Sequence, residues 1–260
     1  MSLSLQFLGT GTSVGVPQIG CKCPACTSAD PRDRRRRTGV YVRSGKTAFL
    51  VDTPPELREA CIELGISKVD AVVVTHAHMD HIAGFDDVRR FNTLNGGTVL
   101  KCHAAPETIA AMRQVFPYIT TKANTQGLFR PMIDFTPVTR AFRIGCVKVT
   151  PLPVEHGGPR TNGYLFEADG RRIAYISDCI SIPARTMAKI RDVDVMVVDC
   201  LRERAHPTHM NLELSLAALA AARARRGYLV HMSHSVVHAE FSKLLPCHVR
   251  LAYDGLTIRA

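Results

Sequence analysis

The chain has 260 residues, 46% of them hydrophobic, no tryptophan and a formal net charge of +10. That content suffices for one large domain or two small ones. No stretch nears the ~20 uninterrupted apolar residues of a membrane span, and the few aromatics offer no stacking surface for single-stranded nucleic acid.

The basic surplus fits a generally basic surface or attraction of anionic substrates such as phosphates and nucleic acid. The first six residues lack a basic region followed by an apolar run, so no secretory signal is read and the cytoplasm is the expected location. Residues 3–8 predict a strand, followed by the glycine-rich turn Gly9-Thr10-Gly11-Thr12-Ser13-Val14-Gly15. No Gly-Lys-Ser/Thr follows, which excludes a P-loop and leaves either close backbone approach near a site or a plain turn.

Gly20-Cys21-Lys22-Cys23-Pro24-Ala25-Cys26 comes next. Three clustered thiolates can wrap one tetrahedral ion, with a fourth ligand, cysteine or histidine, arriving from far away in sequence. The other six cysteines (Cys61, Cys102, Cys146, Cys179, Cys200, Cys247) stand singly among apolar residues and are expected in the core. Arg32 and the run Arg34 to Arg37 read as a solvated charged loop or as phosphate attraction.

Strands are predicted over 40–42 and 48–51 and a helix over 56–64, started by Pro54-Pro55. Asp52 either starts that helix or orients a metal-bound histidine. The apolar run 71–75 predicts a buried strand, and directly behind it stands Thr75-His76-Ala77-His78-Met79-Asp80-His81. Open α/β sheets place ligand sites just past strand carboxyl ends. Imidazole with carboxylate is a donor set for zinc, manganese or iron.

A helix over 82–91, a strand over 99–103 and a helix over 106–116 follow. Residues 117–131 have no clear period and are expected to form a surface loop or lid. Strands are predicted over 142–144, 147–153, 164–168 and 172–177, the last two joined by the hairpin dipeptide Asp169-Gly170. Helices over 184–191, 212–225 and 239–244 alternate with strands over 193–198 and 228–231, and 249–258 predicts a closing strand or hairpin. No linker or repeat divides the series, so one α/β domain over 1–260 is expected, with two sheets between helix layers. Several predicted strands end in a lone polar residue: His156 lies beyond 147–153, Asp178 follows 172–177, Asp199 follows 193–198, and His231 ends 228–231. With the His-x-His-x-Asp-His cluster they supply enough imidazole and carboxylate for two ions.

Phe7-Leu8-Gly9-Thr10-Gly11, that cluster, then His156, Asp178, His231 and Tyr253-Asp254-Gly255 in order resemble the metallo-β-lactamase superfamily over nearly the whole chain. The resemblance implies an αββα sandwich of two mixed β-sheets flanked by helices, with a two-metal site at one sheet edge. His76, His78 and His156 would hold one ion, and Asp80, His81 and His231 the other, with Asp178 bridging. A narrower resemblance is carried by the cysteine loop at about 20–27 together with Leu229-Val230-His231-Met232-Ser233-His234. It is to the metallo-phosphodiesterase family of the carbon–phosphorus lyase (phosphonate utilisation) pathway. It implies a structural zinc on Cys21, Cys23, Cys26 and His234, a homodimer, and a general acid at His209, with His206 close enough to be confused with it. The family that makes pyrroloquinoline quinone shares the cysteine motif but departs from the full histidine cluster.

The expected activity is hydrolysis of a small, cyclic phosphodiester such as 5-phosphoribosyl 1,2-cyclic phosphate. A hydroxide activated by two divalent ions, Mn2+ or Zn2+, about 4 Å apart would attack phosphorus. His209 would protonate the leaving alkoxide, and Asp80 is cast as a ligand because a carboxylate on a dication cannot readily accept a proton. One rival is a transfer-RNA 3′-processing endonuclease, which suits the charge but not the cysteine loop or the lack of a long Gly/basic insertion. A lactone or thioester hydrolase is another, and a non-catalytic protein on the same fold is opposed by the full ligand set. The expected partner is a small anionic substrate, with nucleic acid second and no membrane.

Overall fold

The computed structural model describes residues 2–119, 129–158 and 160–260, so the centre of the expected loop or lid, 120–128, lies outside the described residues. Short apolar runs form β1 (Ser4–Gly9), β2 (Gly39–Ser44), β3 (Thr47–Val51), β4 (Ala71–Val73), β5 (Leu100–Ala104) and β6 (Ile133–Pro137). Then come β7 (Phe142–Ile144), β8 (Val147–Val154), β9 (Thr161–Ala168), β10 (Arg171–Ile176), β11 (Val195–Asp199), β12 (Arg226–Val230), β13 (Val249–Leu251) and β14 (Thr257–Arg259). They make two seven-stranded sheets, ordered β14-β1-β2-β3-β4-β5-β6 and β13-β12-β11-β10-β9-β8-β7. The run β3 to β6 is parallel in one sheet and β10 to β13 in the other, and hairpins supply the antiparallel remainder.

Side-chain alternation along the strands sorts the core. Phe7, Phe49 and Val73 of the first sheet meet Phe166, Tyr175 and Val197 of the second in one shared cluster. Val72 and Val74 point the other way, under α1 (Leu57–Glu63), α2 (Met79–Ile82), α3 (Arg89–Leu94) and α4 (Pro106–Val115). The outer face of the second sheet is covered by α5 (Ala184–Lys189), α6 (Leu212–Ala222) and α7 (His238–Ser242). The architecture is therefore an αββα sandwich. Its parallel strands bring their carboxyl ends, with Asp52, His76 to His81, Asp178, Asp199 and His231, to one edge.

Four expectations need correction. The helix over 82–91 is broken into α2, a 3-10 turn at Phe85–Val88 and α3. A Cβ at Gly84 would lie 2.1 Å from the Pro54 carbonyl oxygen, and the Gly84 amide donates to Thr53, so the chain turns at that contact. Residues 249–258 are not a hairpin, because β13 pairs with β12 and β14 with β1. The Tyr253-Asp254-Gly255 link crosses between sheets, with Asp254 accepting from Thr10 Oγ1 and the Arg36 amide.

Cys61, Cys102, Cys179 and Cys200 are buried, but Cys146 and Cys247 are exposed in turns that no layer covers. The arginine run is a solvated loop only in part: Arg32 and Arg34 are exposed, but the others are held by protein partners. Arg35 is fully buried, ion-paired to Asp33 at 2.9 Å and donating to the Ser233 carbonyl, while Arg36 and Arg37 pair with Glu63 and Glu56. β6 has no counterpart among the predicted strands: Ile133-Asp134-Phe135-Thr136 alternates apolar and polar, but over too few residues to stand out before β5 pairs with it. The glycine-rich turn does serve close approach, since a Cβ on Gly9 would lie 2.0 Å from the Arg37 carbonyl oxygen. No helix among the described residues is long and apolar enough to cross a membrane.

Candidate metal centre

Because β4 is buried on both faces, the polar residues that follow it collect at the sheet edge. His76 Nε2 and His78 Nδ1 approach to 2.9 Å, and the His156 ring lies 5.1 and 5.2 Å from theirs. One donor atom from each of these three lies within 4.8 Å of the others, and Asp80, His81, Asp178 and His231 form a second such group. His231 Nε2 is 3.1 Å from Asp178 Oδ2, and His81 Nε2 is 3.3 Å from Asp178 Oδ1. Asp178 Oδ2 also lies 3.9 Å from His156 Nε2, so one carboxylate spans both groups.

The donor set fits divalent cations. His81 Nε2, His231 Nε2 and Asp178 Oδ1 are buried and make no hydrogen bond, a costly arrangement unless something else satisfies them. Charge points the same way. Burial disfavours the charged form of every group here; it lowers His76 and holds His156 at about 4. At His81 burial is outweighed by Asp178 and Asp52, which hold the imidazole well above its ordinary value. At Asp178 burial is outweighed by His231 and His81, which hold the carboxyl well below its own. Ionised carboxylates in a buried site need positive charge beside them, and a divalent ion supplies it without protonating a ligand.

The cysteine loop folds onto the same edge. Cys21, Cys23, Cys26 and His234 bring one donor atom each within 4.8 Å of the others. His234 Nδ1 is 3.2 Å from Cys21 Sγ and 3.3 Å from Cys23 Sγ. Burial would raise Cys23, but hydrogen bonds from the Cys26 backbone and from the Cys21, Cys26 and His234 side chains bring it down to about 6. Burial takes Cys26 up to about 11. A thiolate among thiols, closed by an imidazole, has the donor chemistry of a four-ligand zinc site.

A Beta-lactamase superfamily domain matches residues 47–232, most of the chain. The chain belongs to the metallo-β-lactamase superfamily. This superfamily member is similar over its full length to the solved structure of a diphosphatase from the PhnP family, with 38% identity and a TM-score of 0.91, covering 100% of this chain and 98% of that one. It is 31% identical over 256 residues to the octanoyltransferase of Porphyromonas gingivalis, covering 96% of this chain but 50% of that protein, so it spans about half the length of that relative. Coenzyme PQQ synthesis protein B of a Methylobacterium species is 28% identical over 218 residues, 74% of this chain and 71% of that protein. Fold and donor clusters together are those of a metal-dependent hydrolase.

The metallo-β-lactamase edge also holds residues that aim the histidines. Of the two readings of Asp52, the geometry selects the orienting one: fully buried, it lies 2.8 Å from His81 Nδ1 and accepts from the amide and hydroxyl of Thr75. The Thr75 hydroxyl lies 3.0 Å from His76 Nδ1, so one carboxylate fixes two imidazoles, the second through a hydroxyl. His156 Nδ1 is 3.0 Å from the Thr208 carbonyl oxygen. Asp199, a strand end with no assigned role in the sequence, lies 2.7 Å from His209 Nδ1. The signal for it was a buried strand ending in aspartate just before a histidine-bearing loop.

His209 stacks on His231 at 4.6 Å and lines a cavity of about 270 Å³ with Ser13, His78, Asp80, His156 and Asp178. His206 does not line that cavity; its Nδ1 accepts from the Thr208 amide at 3.3 Å, which separates the two histidines by position.

Proposed function

We propose that the chain hydrolyses a phosphodiester, most simply a small cyclic one such as 5-phosphoribosyl 1,2-cyclic phosphate. His76, His78 and His156 would hold one divalent ion, Mn2+ or Zn2+, and Asp80, His81 and His231 a second, with Asp178 shared. Cys21, Cys23, Cys26 and His234 would hold a structural Zn2+. Bound ions of this kind neutralise phosphoryl oxygens and make water nucleophilic near neutral pH. The chain's own work is to aim the ligands through Asp52, Thr75 and Thr208, and to manage the leaving group's proton. A homodimer belongs to the same reading.

The observation that carries the reading is the Asp199–His209 pair in the cavity wall. Burial raises Asp199 well above the usual carboxylate range, and burial together with charge on His231 takes His209 down to about 4. His209 Nδ1 and Asp199 Oδ2 stand 2.7 Å apart, close enough to share one proton, and that contact fixes the ring. The other ring nitrogen, Nε2, is turned from Asp199 and would carry the proton that a departing alkoxide takes, with Asp199 holding the imidazole in place. A leaving group as poor as a sugar alkoxide needs such help; an acyl-transfer site for activated esters does not.

The test is hydrolysis of bis-p-nitrophenyl phosphate and a ribose cyclic phosphate by protein stripped of metal and reloaded with Mn2+ or Zn2+. Activity should vanish on chelation and return on loading; no turnover of either compound after loading would refute the reading. His209→Ala should slow the alkoxide-releasing substrate by about 10²–10⁴-fold and p-nitrophenolate release far less. Equal losses would remove His209 from acid catalysis. The likeness to a diphosphatase favours a second reading, cleavage of a P–O–P bond. Its phosphate leaving group needs little protonation, so that substrate should be nearly insensitive to His209→Ala.

A further inference from the structure

The helix layer on the outer face of the first sheet leaves a groove of about 450 Å³ between α1 and α3, which shares no lining residue with the metal cavity. Its floor is apolar. Leu57, Cys61 and Phe91 are buried there, and burial pushes the Cys61 thiol up to about 12, so it stays neutral. The rim is apolar as well, because Ile62, Leu94 and Phe129 line the groove while 65%, 44% and 57% exposed. Single exposed apolar side chains are ordinary, but several converging on one concave surface mark a binding site.

The two helices give the groove a charged end and an apolar end. β3, β4 and β5 are consecutive parallel strands, so the crossovers that carry α1 and α3 both return toward the strands' amino ends and the helices point the same way. Each helix places an arginine one turn before an aliphatic residue, Arg58 before Ile62 and Arg90 before Leu94, and residues four apart share a helix face. Arg89 is held elsewhere: it pairs with Asp86 at 3.1 Å, donates to the Phe129 carbonyl at 3.3 Å and lies 5.2 Å from that ring, which fixes the wall. Arg58 and Arg90 have no ion-pair partner among the described residues. Asp87 is the one further carboxylate lining the groove, so a single positive charge is left in surplus. α1 is about 10 Å long, and a zigzag of C–C bonds advances roughly 1.3 Å per carbon, so about eight carbons span it.

We propose that this groove binds an aliphatic monocarboxylate of about eight carbons, its carboxylate between Arg58 and Arg90 and its tail over Cys61 and Phe91 toward Ile62 and Leu94. A surplus of one charge suits a monoanion better than a phosphate dianion. The groove is independent of the metal chemistry, so failure of the phosphodiesterase reading would leave it untouched.

The test is calorimetric titration of the full chain with octanoate, 1-octanol and acetate, using wild type, Arg58→Gln/Arg90→Gln and Ile62→Asn/Leu94→Asn. All four positions are exposed, so both variants should keep the wild-type Tm to within about 4 °C. Wild type should bind octanoate at least about tenfold more tightly than either control. The arginine variant should lose about 10- to 100-fold on octanoate and keep its affinity for octanol, whereas the aliphatic variant should weaken on both. Octanoate that binds wild type no better than acetate does overturns the site. So does octanoate that binds wild type and the arginine variant equally, since it then sits on the metals or elsewhere. A groove covered by a second copy would also overturn it, seen in sedimentation as a dimer that Ile62→Asn/Leu94→Asn dissociates and that takes up no octanoate.

Discussion

Asp52→Asn is the sharpest probe of how the edge aims its ligands. Asp52 stands at φ 63°, a conformation asparagine tolerates nearly as well as aspartate, so the backbone survives the change. The amide can satisfy the Thr75 amide or the His81 Nδ1–H, each 2.8 Å from a carboxylate oxygen, but it has only one acceptor oxygen. If the oxygen turns to Thr75, the amide nitrogen faces His81 and favours the tautomer with its proton on Nε2, the atom needed for a metal. If it turns to His81, the Thr75 amide is left facing a donor.

Loss of a partner that orients a ligand lowers metal affinity by about 10- to 100-fold, or about 1.4–2.7 kcal/mol. Stability of the bare protein should change less. The variant loses a charge-assisted hydrogen bond but also removes a carboxylate whose burial disfavours its charge. We expect those effects to cancel to within about 1.5 kcal/mol, a shift in Tm of under about 6 °C for a domain of this size. Competition with a chromogenic chelator measures the first quantity and calorimetry the second. Wild-type metal affinity in the variant would refute the reasoning, and so would loss of zinc from the cysteine site in the same step, which would report general unfolding.

Gly157→Ala should be severely damaging. Gly157 has φ 73° and a Cβ there would lie 2.4 Å from Thr208 Cγ2, forcing apart the loops of His156 and His209. The cost should be about 1–3 kcal/mol with activity down at least tenfold, and Thr208→Ser in the same chain should restore part of both. Full activity of Gly157→Ala alone would show that the loops have slack. Asp254 gives a pH signature away from the metals: burial raises its carboxyl to about 6 from 3.8. The folded chain thus binds this proton more tightly than the unfolded one, and the associated stability is present below pH ~4 and lost as pH rises to ~6, up to about 3 kcal/mol. The difference between wild-type and Asp254→Asn denaturant curves should show that slope, and parallel curves would refute it. Cys26→Ser should lower bound zinc by one ion per chain and leave two; an unchanged count would exclude the four-ligand site.

What the sequence determined by itself was everything whose cause is local. His76 to His81 are legible because three imidazoles and a carboxylate directly behind a buried strand have few other uses, and Asp169-Gly170 because only such residues fill a tight hairpin with both φ values positive. The sandwich followed from strand and helix patterns together with the family likeness. The tertiary structure decided what depends on partners remote in sequence. Arg35 looks like any surface arginine until Asp33 and the Ser233 carbonyl enclose it, and Asp199 looks like any strand end until His209 folds back on it. The 249–258 segment shows two short apolar runs, but only the packing of both sheets decides that one belongs to each. Sequence periodicity reports which side of an element is apolar; it carries no information about which charge stands across a buried gap. Chain topology sets that distance, and the Asp199–His209 contact at the sheet edge exists because β11 and the loop after it are closed on each other.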